Sequence, residues 1–281
     1  MTTKELKAKR TGRRDPFLRI AKPSPLVLQP RDEAIIEAVY EYGILSGEQI
    51  DRLIGFGCAT RRNAQLRALF DHGFVDRKFL PTLQGSPKAL YILGRRAVDV
   101  VSRNRGVDPQ RVTLRIKRTR EIKDLFLGHR LELNQARLAF SLALKANPDM
   151  GLDLWRTAPE LSGSPLIPDA YCRYSYREKH WGFFFELDRS TESHRRFKGK
   201  IDAYLEYGFS GKYQQQYGFK FFRVLIAAPS EARVANLKKL IAGTTDKMFW
   251  LAATADITPE TVFGPIWQRP GKEGRFALNE E

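Results

Sequence analysis

The 281-residue chain carries only two cysteines, Cys58 and Cys172, far apart in sequence. That is too few for a disulfide framework and fits a reduced, cytoplasmic protein. Its four histidines, His72, His129, His180 and His194, do not fall at ligand spacing, so no zinc site is expected. No apolar run approaches the ~20 residues of a membrane helix, and mean hydropathy is −0.42, so no membrane partner is expected. The N-terminal stretch MTTKELKAKRTGRRDPFLRIAKPSP lacks the apolar segment of a secretory signal. Glu5 and Asp15 argue against an Arg-rich transit peptide. The string GxxxxGK[ST] is missing, which removes nucleotide hydrolysis through a P-loop. Nothing points to a Ser-His-Asp nucleophile.

The informative shortage is of acidic residues in the first part of the chain. Residues 1–120 hold 12 Asp+Glu against 25 Lys+Arg, a net of +13. Residues 121–281 hold 20 against 23, so most of the total charge of +16 lies N-terminally. A basic domain of this kind concentrates polyanions and gains from counterion release on nucleic acid. At 42% hydrophobic and 11% aromatic residues, the chain has material for a substantial core.

Residues 1–26 read as a flexible basic tail. Residues 27–104 read as a winged helix-turn-helix. A first helix spans about Pro30 to Tyr42, with Ile35, Ile36, Val39 and Tyr40 at helical spacing and Gly43 as its stop. Ser46 with Gln49 forms a capping box for a second helix, striped by Ile50, Leu53 and Ile54. A third starts near Thr60, turns Leu66, Leu69 and Phe70 inward, and stops at His72-Gly73. GFVDRKFLP and KALYIL are two strands of a wing joined by TLQGSP, and GRRAVDVVSRN is a fourth helix.

In such a unit the front of the third helix faces the major groove. Here it offers Thr60, Arg61, Arg62, Asn63, Gln65 and Arg67. Arginine suits guanine edges or phosphate, and Asn or Gln suits adenine. Lys78 and Lys88 on the wing are candidates for phosphate. Residues 105–120 read as a basic linker of low apolar content.

Residues 121–281 read as an α/β domain. A long amphipathic helix places Ile122, Leu125, Phe126, His129, Leu133, Ala136, Phe140 and Leu144 at spacings of three and four. Strands follow in LDLWRTAPEL, IPDAYCRY and HWGFFFELDRS, the last two joined by a turn at REKHWG. FFF at 183–185 reads as buried strand. Then come a helix capped by Ser190 or Thr191, the apolar strand FKFFRVLIAAP, a Ser-started helix and a last strand, MFWLAATAD. The order predicts a sheet with helices on both faces.

Within this domain, Pro168-Asp169 and Glu186-Leu187-Asp188 resemble the PD-(D/E)XK strings of the restriction-endonuclease-like fold. The resemblance implies Asp169 and Glu186 as ligands of a divalent metal such as Mg²⁺, with Asp188 and Glu132 as further carboxylates. Hard cations want clustered oxygens. Where that superfamily has a strand lysine, this chain has Asp188, and Lys200 on the next helix is the replacement candidate. The alternative is a structural domain in which Arg189, Arg195 and Lys200 balance the acids.

The two halves together resemble the replication-relaxation family over about residues 28–245. LQPRD, QLRAL and PDAY…ELDRSTES…K…Y carry the likeness. Family members come from bacterial plasmids, integrative elements and phages. The resemblance implies a sequence-specific protein of such an element, binding double-stranded DNA and acting in replication, transfer or transcription. A homodimer on a pseudo-palindromic site, with replication or transfer proteins as partners, would follow. The competing readings are a metal-dependent endonuclease or nickase targeted by the winged helix, and a protein-interaction adaptor.

Overall fold

A computed structural model describes residues 15–80, 87–157, 166–177, 179–190 and 192–279. The chain divides into two compact units, Met1–Leu131 and Glu132–Glu281.

In the first unit, α1 (Pro30–Tyr42) has the expected bounds. Pro30 sits where a missing N–H costs nothing, and the Asp32 carboxylate accepts the Gln29 N–H at 2.9 Å. Ile35, Ile36 and Val39 are fully buried. Gly43, at φ 77°, turns the chain into a short strand, β1 (Ile44–Ser46), which the sequence did not announce. Ser46 then caps α2 (Gly47–Ile54): its Oγ accepts the Gln49 N–H, and the Gln49 side chain accepts the Ser46 N–H, both at 3.1 Å.

Cys58 precedes α3 (Ala59–Asp71), which buries Leu66, Leu69 and Phe70. β2 (Val75–Leu80) and β3 (Lys88–Leu93) form the hairpin, and β1 joins it to give an antiparallel sheet of order β1-β3-β2. The expected turn at TLQGSP lies outside the described residues apart from Pro87. At the base of the hairpin Gly94 is required, because a Cβ there would stand 2.1 Å from the Gly73 carbonyl oxygen.

α4 (Ala97–Arg105) is followed by α5 (Pro109–Arg120), which occupies most of the stretch 105–120 expected as a linker. Asp108 caps α5 through the Gln110 N–H, and Pro109 occupies its first position. Val112 and Ile116 are buried, and Arg115 donates to the Tyr40 and Glu41 carbonyls at 2.9 Å each. Two apolar residues four apart suffice to seat this helix, although the rest of its surface is basic. It belongs to the first unit's core.

The tail also differs from expectation, so far as it is described. From Asp15 onward it lies against α3 and β2: the Phe17 and Phe79 rings are 4.3 Å apart, and Arg19 Nε donates to the Phe70 carbonyl at 2.6 Å. Residues 1–14 of the expected tail lie outside the described residues.

α6 (Asp124–Ala146) contains the division between the units. Its early residues Leu125 and Phe126, expected on the apolar stripe, are exposed, while Leu127 is fully buried. The second unit holds one sheet of order β4-β5-β6-β7-β8: β4 (Met150–Thr157), β5 (Ala170–Tyr176), β6 (Lys179–Leu187), β7 (Arg223–Ala228) and β8 (Phe249–Ala253). The first three pair antiparallel, and β6, β7 and β8 pair parallel. Parallel neighbours need crossovers, which are supplied by α7 (His194–Phe209), α8 (Lys212–Tyr217) and α9 (Glu231–Ala242).

Alternation along β6 splits its aromatics between two cores. Phe183 and Phe185 pack with Phe140 of α6 and with Trp267 of the C-terminal segment. Phe184 packs on the opposite face with Tyr204 of α7, Tyr213 of α8 and Phe222. Each such buried ring contributes about 1.5–3 kcal/mol. The helix after β6 starts at Ser193, whose Oγ accepts the Arg196 N–H, and not at Ser190, which takes a left-handed φ of 58° in the connecting turn. The other expected cap, Thr191, lies outside the described residues.

Candidate functional site

Two constellations stand out, one in each unit. The first is the front of α3. Because Leu66, Leu69 and Phe70 anchor one face, Thr60, Arg61, Asn63 and Ala64 are left in solvent. The first turn carries no acidic residue. An uncompensated helix N-terminus with a free guanidinium is attractive to phosphate.

Of the remaining expected DNA-contacting residues, Arg62, Gln65, Arg67 and Lys78 turn back onto the chain. Arg62 pairs with Asp51 at 3.3 Å. The Gln65 amide donates to buried Asp32. Arg67 is held by Asp71 at 3.0 Å and donates to the carbonyls of Asp15 and Leu18 at 2.9 and 2.7 Å. Lys78 Nζ donates to the Ile122 carbonyl at 2.6 Å. Lys88 is exposed and lies 3.7 Å from Glu48. The sequence could not separate these residues from Arg61, since helical spacing alone does not reveal Asp51 or the returning N-terminal segment.

The second constellation gathers where β6 ends. Asp169 immediately precedes β5, and the antiparallel register, Ala170 opposite Phe185, sets it beside Glu186. The Asp169 Oδ2 accepts the Leu187 N–H at 2.8 Å. Glu186 is buried, with 4% of its surface exposed. Its Oε2 accepts from Lys200 Nζ at 2.8 Å and its Oε1 from the Tyr204 hydroxyl at 2.6 Å. Lys200 and Tyr204 are four apart on α7 and so meet Glu186 together.

Burial pushes the Glu186 carboxyl up to about 7, against the pull of the Lys200 ammonium and with help from the neighbouring Asp169 charge. Glu186 in turn raises the Lys200 ammonium above its ordinary value, against the desolvation of its own partly buried position.

Asp188 is drawn to a different partner. Arg233, in the first turn of α9, donates from Nε at 2.7 Å and from a terminal nitrogen at 3.0 Å to its two oxygens. This planar fork takes up both oxygens of a buried carboxylate. Glu132 pairs with Arg189 at 3.4 Å. Among the described residues no group of three His, Cys, Asp or Glu converges as a metal site.

Three of the four carboxylates expected to share a cation are therefore distributed among separate basic partners, while Asp169 accepts the Leu187 N–H. Glu186, Asp188 and Glu132 each spend their oxygens on Lys200 and Tyr204, on Arg233, and on Arg189. As arranged, this donor set does not fit a divalent metal that requires clustered oxygens, and no step is derived through one. Of the basic residues expected to balance the acids, Arg189 and Lys200 are used and Arg195 is exposed. Arg233 and Tyr204 were not anticipated. The i,i+4 spacing from Lys200 marks Tyr204, but nothing local marks Arg233, which arrives by a crossover.

Comparison with curated proteins finds no match. Among solved structures, the restriction endonuclease FokI is similar at a TM-score of 0.30 and 12% identity, over 81% of this chain and 42% of that one. The chain thus spans less than half of FokI, and so slight a likeness carries no weight for fold or activity. The replication-relaxation family model matches residues 36–222, well over half of the sequence, and the chain belongs to that family.

Proposed function

We propose that the protein is a sequence-specific duplex-DNA-binding protein of a plasmid, phage or integrative element, acting in the control of replication, transfer or transcription. The observation that carries the reading is the open first turn of α3, where Thr60, Arg61 and Asn63 stand in solvent on a helix whose other face is anchored. Helix, strand, helix, helix and hairpin in this order, with the sheet β1-β3-β2, fit a winged helix-turn-helix that presents α3 to a groove. The N-terminal excess of positive charge supplies the sequence-independent part of affinity.

In this reading Arg61 and Asn63 contact bases, Thr60 contacts phosphate, and Arg62, Gln65 and Arg67 hold α3 in position. The second unit serves as a scaffold or dimerisation module around an endonuclease-like sheet, with Glu132, Glu186 and Asp188 held in ion pairs.

Selection of bound duplexes from a random library, followed by anisotropy titrations on the enriched site, tests this. Arg61→Ala and Asn63→Ala are each expected to weaken specific binding by about 1–3 kcal/mol. No enriched site, or unchanged affinity in both variants, would remove α3 as the reader.

The metal-dependent endonuclease has one observation in its favour, the Lys200 ammonium beside Glu186 and close to Asp169. Incubation of supercoiled plasmid with the protein and Mg²⁺ or Mn²⁺ separates the readings. Nicking that disappears in both Asp169→Ala and Glu186→Ala would establish the enzyme.

A further inference from the structure

At the end of the second unit's sheet opposite Glu186, where β6, β7 and β8 begin, there is a cavity of about 770 Å³. The register sets it there: Phe183 pairs with Arg223 and Val224 with Phe249, whereas Glu186 pairs with Ile226 further along. Its lining is rich in aromatic and cationic side chains and, among the described residues, holds no Asp or Glu.

Two lining rings, Phe209 and Phe221, are 73% and 76% exposed in a unit that buries most of its aromatics. Lys220 Nζ lies 5.4 Å from the centre of the Phe221 ring. Lys220 and Lys247 are exposed, and no carboxylate pairs with either among the described residues. Deeper in, Arg223 is stacked against Trp181 and Trp250 at 4.9 and 4.4 Å, and Arg269 covers Trp250 at 4.8 Å. Those indoles already have cations against them. Phe221 has the Lys220 ammonium over its ring as well, but with most of its surface exposed it remains the open platform.

We propose that this cavity binds single-stranded DNA, stacking a base on Phe221 and taking adjacent phosphates on Lys220 and Lys247. Stacking with backbone charge is how proteins hold single strands without reading sequence. A site selective for one nucleotide would need polar groups for the base edge, and among the described residues Gln214 is the only amide side chain in the lining. The acid-free lining matches a polyanion in charge, and the volume falls in the range of small-ligand sites, about 300–1,000 Å³. The proposal does not rest on duplex binding by α3.

The test uses the full-length protein with a fluorescein-labelled oligo(dT) strand and, in parallel, a duplex of equal length. Phe221→Ala, and separately the double variant Lys220→Glu with Lys247→Glu, are each expected to weaken single-strand binding about tenfold. The double variant should also flatten its salt dependence, and duplex affinity should stay unchanged in both. All three side chains are exposed, so folding should persist, and the thermal midpoint checks it. Single-strand affinity within twofold of the parent in both variants would overturn the proposal. So would loss of single-strand binding in Arg61→Ala instead, which would place the strand on α3. Displacement of the strand by equimolar dTMP would also overturn it, by assigning the cavity to a free nucleotide.

Discussion

Single residues divide here into those that face solvent and those that hold others in place. Glu186 gives the sharpest pH signature. Its carboxyl titrates near 7 in the folded state against an ordinary value of 4.5. Between those values the folded chain holds the extra proton, so the Glu186 contribution to stability falls as pH rises through the window and is level above it. Asp169, Lys200 and Tyr204 face it, with Glu192 behind Lys200 at 3.6 Å. Urea titrations at pH 4.5 and 7.5 should show Glu186→Gln losing less stability across the window than the parent. The difference should be on the order of 2–3 kcal/mol. Equal slopes would mean that Glu186 is ionised throughout.

Arg233→Ala leaves Asp188 buried and unpaired and is expected to destabilise the protein by about 3–5 kcal/mol in urea unfolding. Arg233→Lys should recover only part of this, because an ammonium cannot reproduce the fork. Thiol labelling should find one fast cysteine, exposed Cys58. Cys172, buried and with its thiol pushed well up by that burial, should react only on unfolding.

Among the elements, the ones read correctly have strong local signals. The Ser46–Gln49 box, Pro30 with Gly43, and the apolar run Val224–Ala228 of β7 each state a start, a stop or a buried environment in adjacent residues, although β7 begins at Arg223 and leaves out the FKFF expected at its start. α5 was missed because its inward face is only Val112, Ile116 and Thr119, set in a basic sequence that looks solvated. Tertiary contacts with α1 and α4 decide it. Ile116→Ala should therefore cost about 2–4 kcal/mol in the full chain, as a buried position does and a linker position does not. Chemical denaturation measures it, and a change below half a kcal/mol would return this segment to linker status. α8 was missed for a related reason. A single turn and a half around Tyr213 carries too little periodicity to be seen, and the buried Tyr171–Tyr213 hydroxyl pair, at 3.0 Å, holds it.

For the whole molecule, charge is the dominant feature. No helix among the described residues is long and apolar enough to cross a membrane. With a net charge of +16, much of the proposed affinity for DNA should depend on salt. The logarithm of duplex affinity should fall linearly with the logarithm of salt concentration, by about 0.9 per phosphate neutralised. Anisotropy between 50 and 200 mM salt measures the slope, and a slope near zero would favour the protein-interaction adaptor. Light scattering with and without the selected duplex tests the proposed dimer.

Most of the helices and strands, the basic character of the first part and the family were legible in the residues themselves, whereas β1, α5 and α8 were not. Periodicity, caps and charge are properties of neighbours along the chain. The partners of those residues were not legible. Whether Arg61 stands open while Arg62 and Arg67 are held, and whether Asp188 meets a metal or Arg233, depends on groups brought from far away by strand register and crossovers. A carboxylate's partner is whichever cation the folded chain carries within about 3 Å of it. That distance exists only once β6, α7 and α9 are packed.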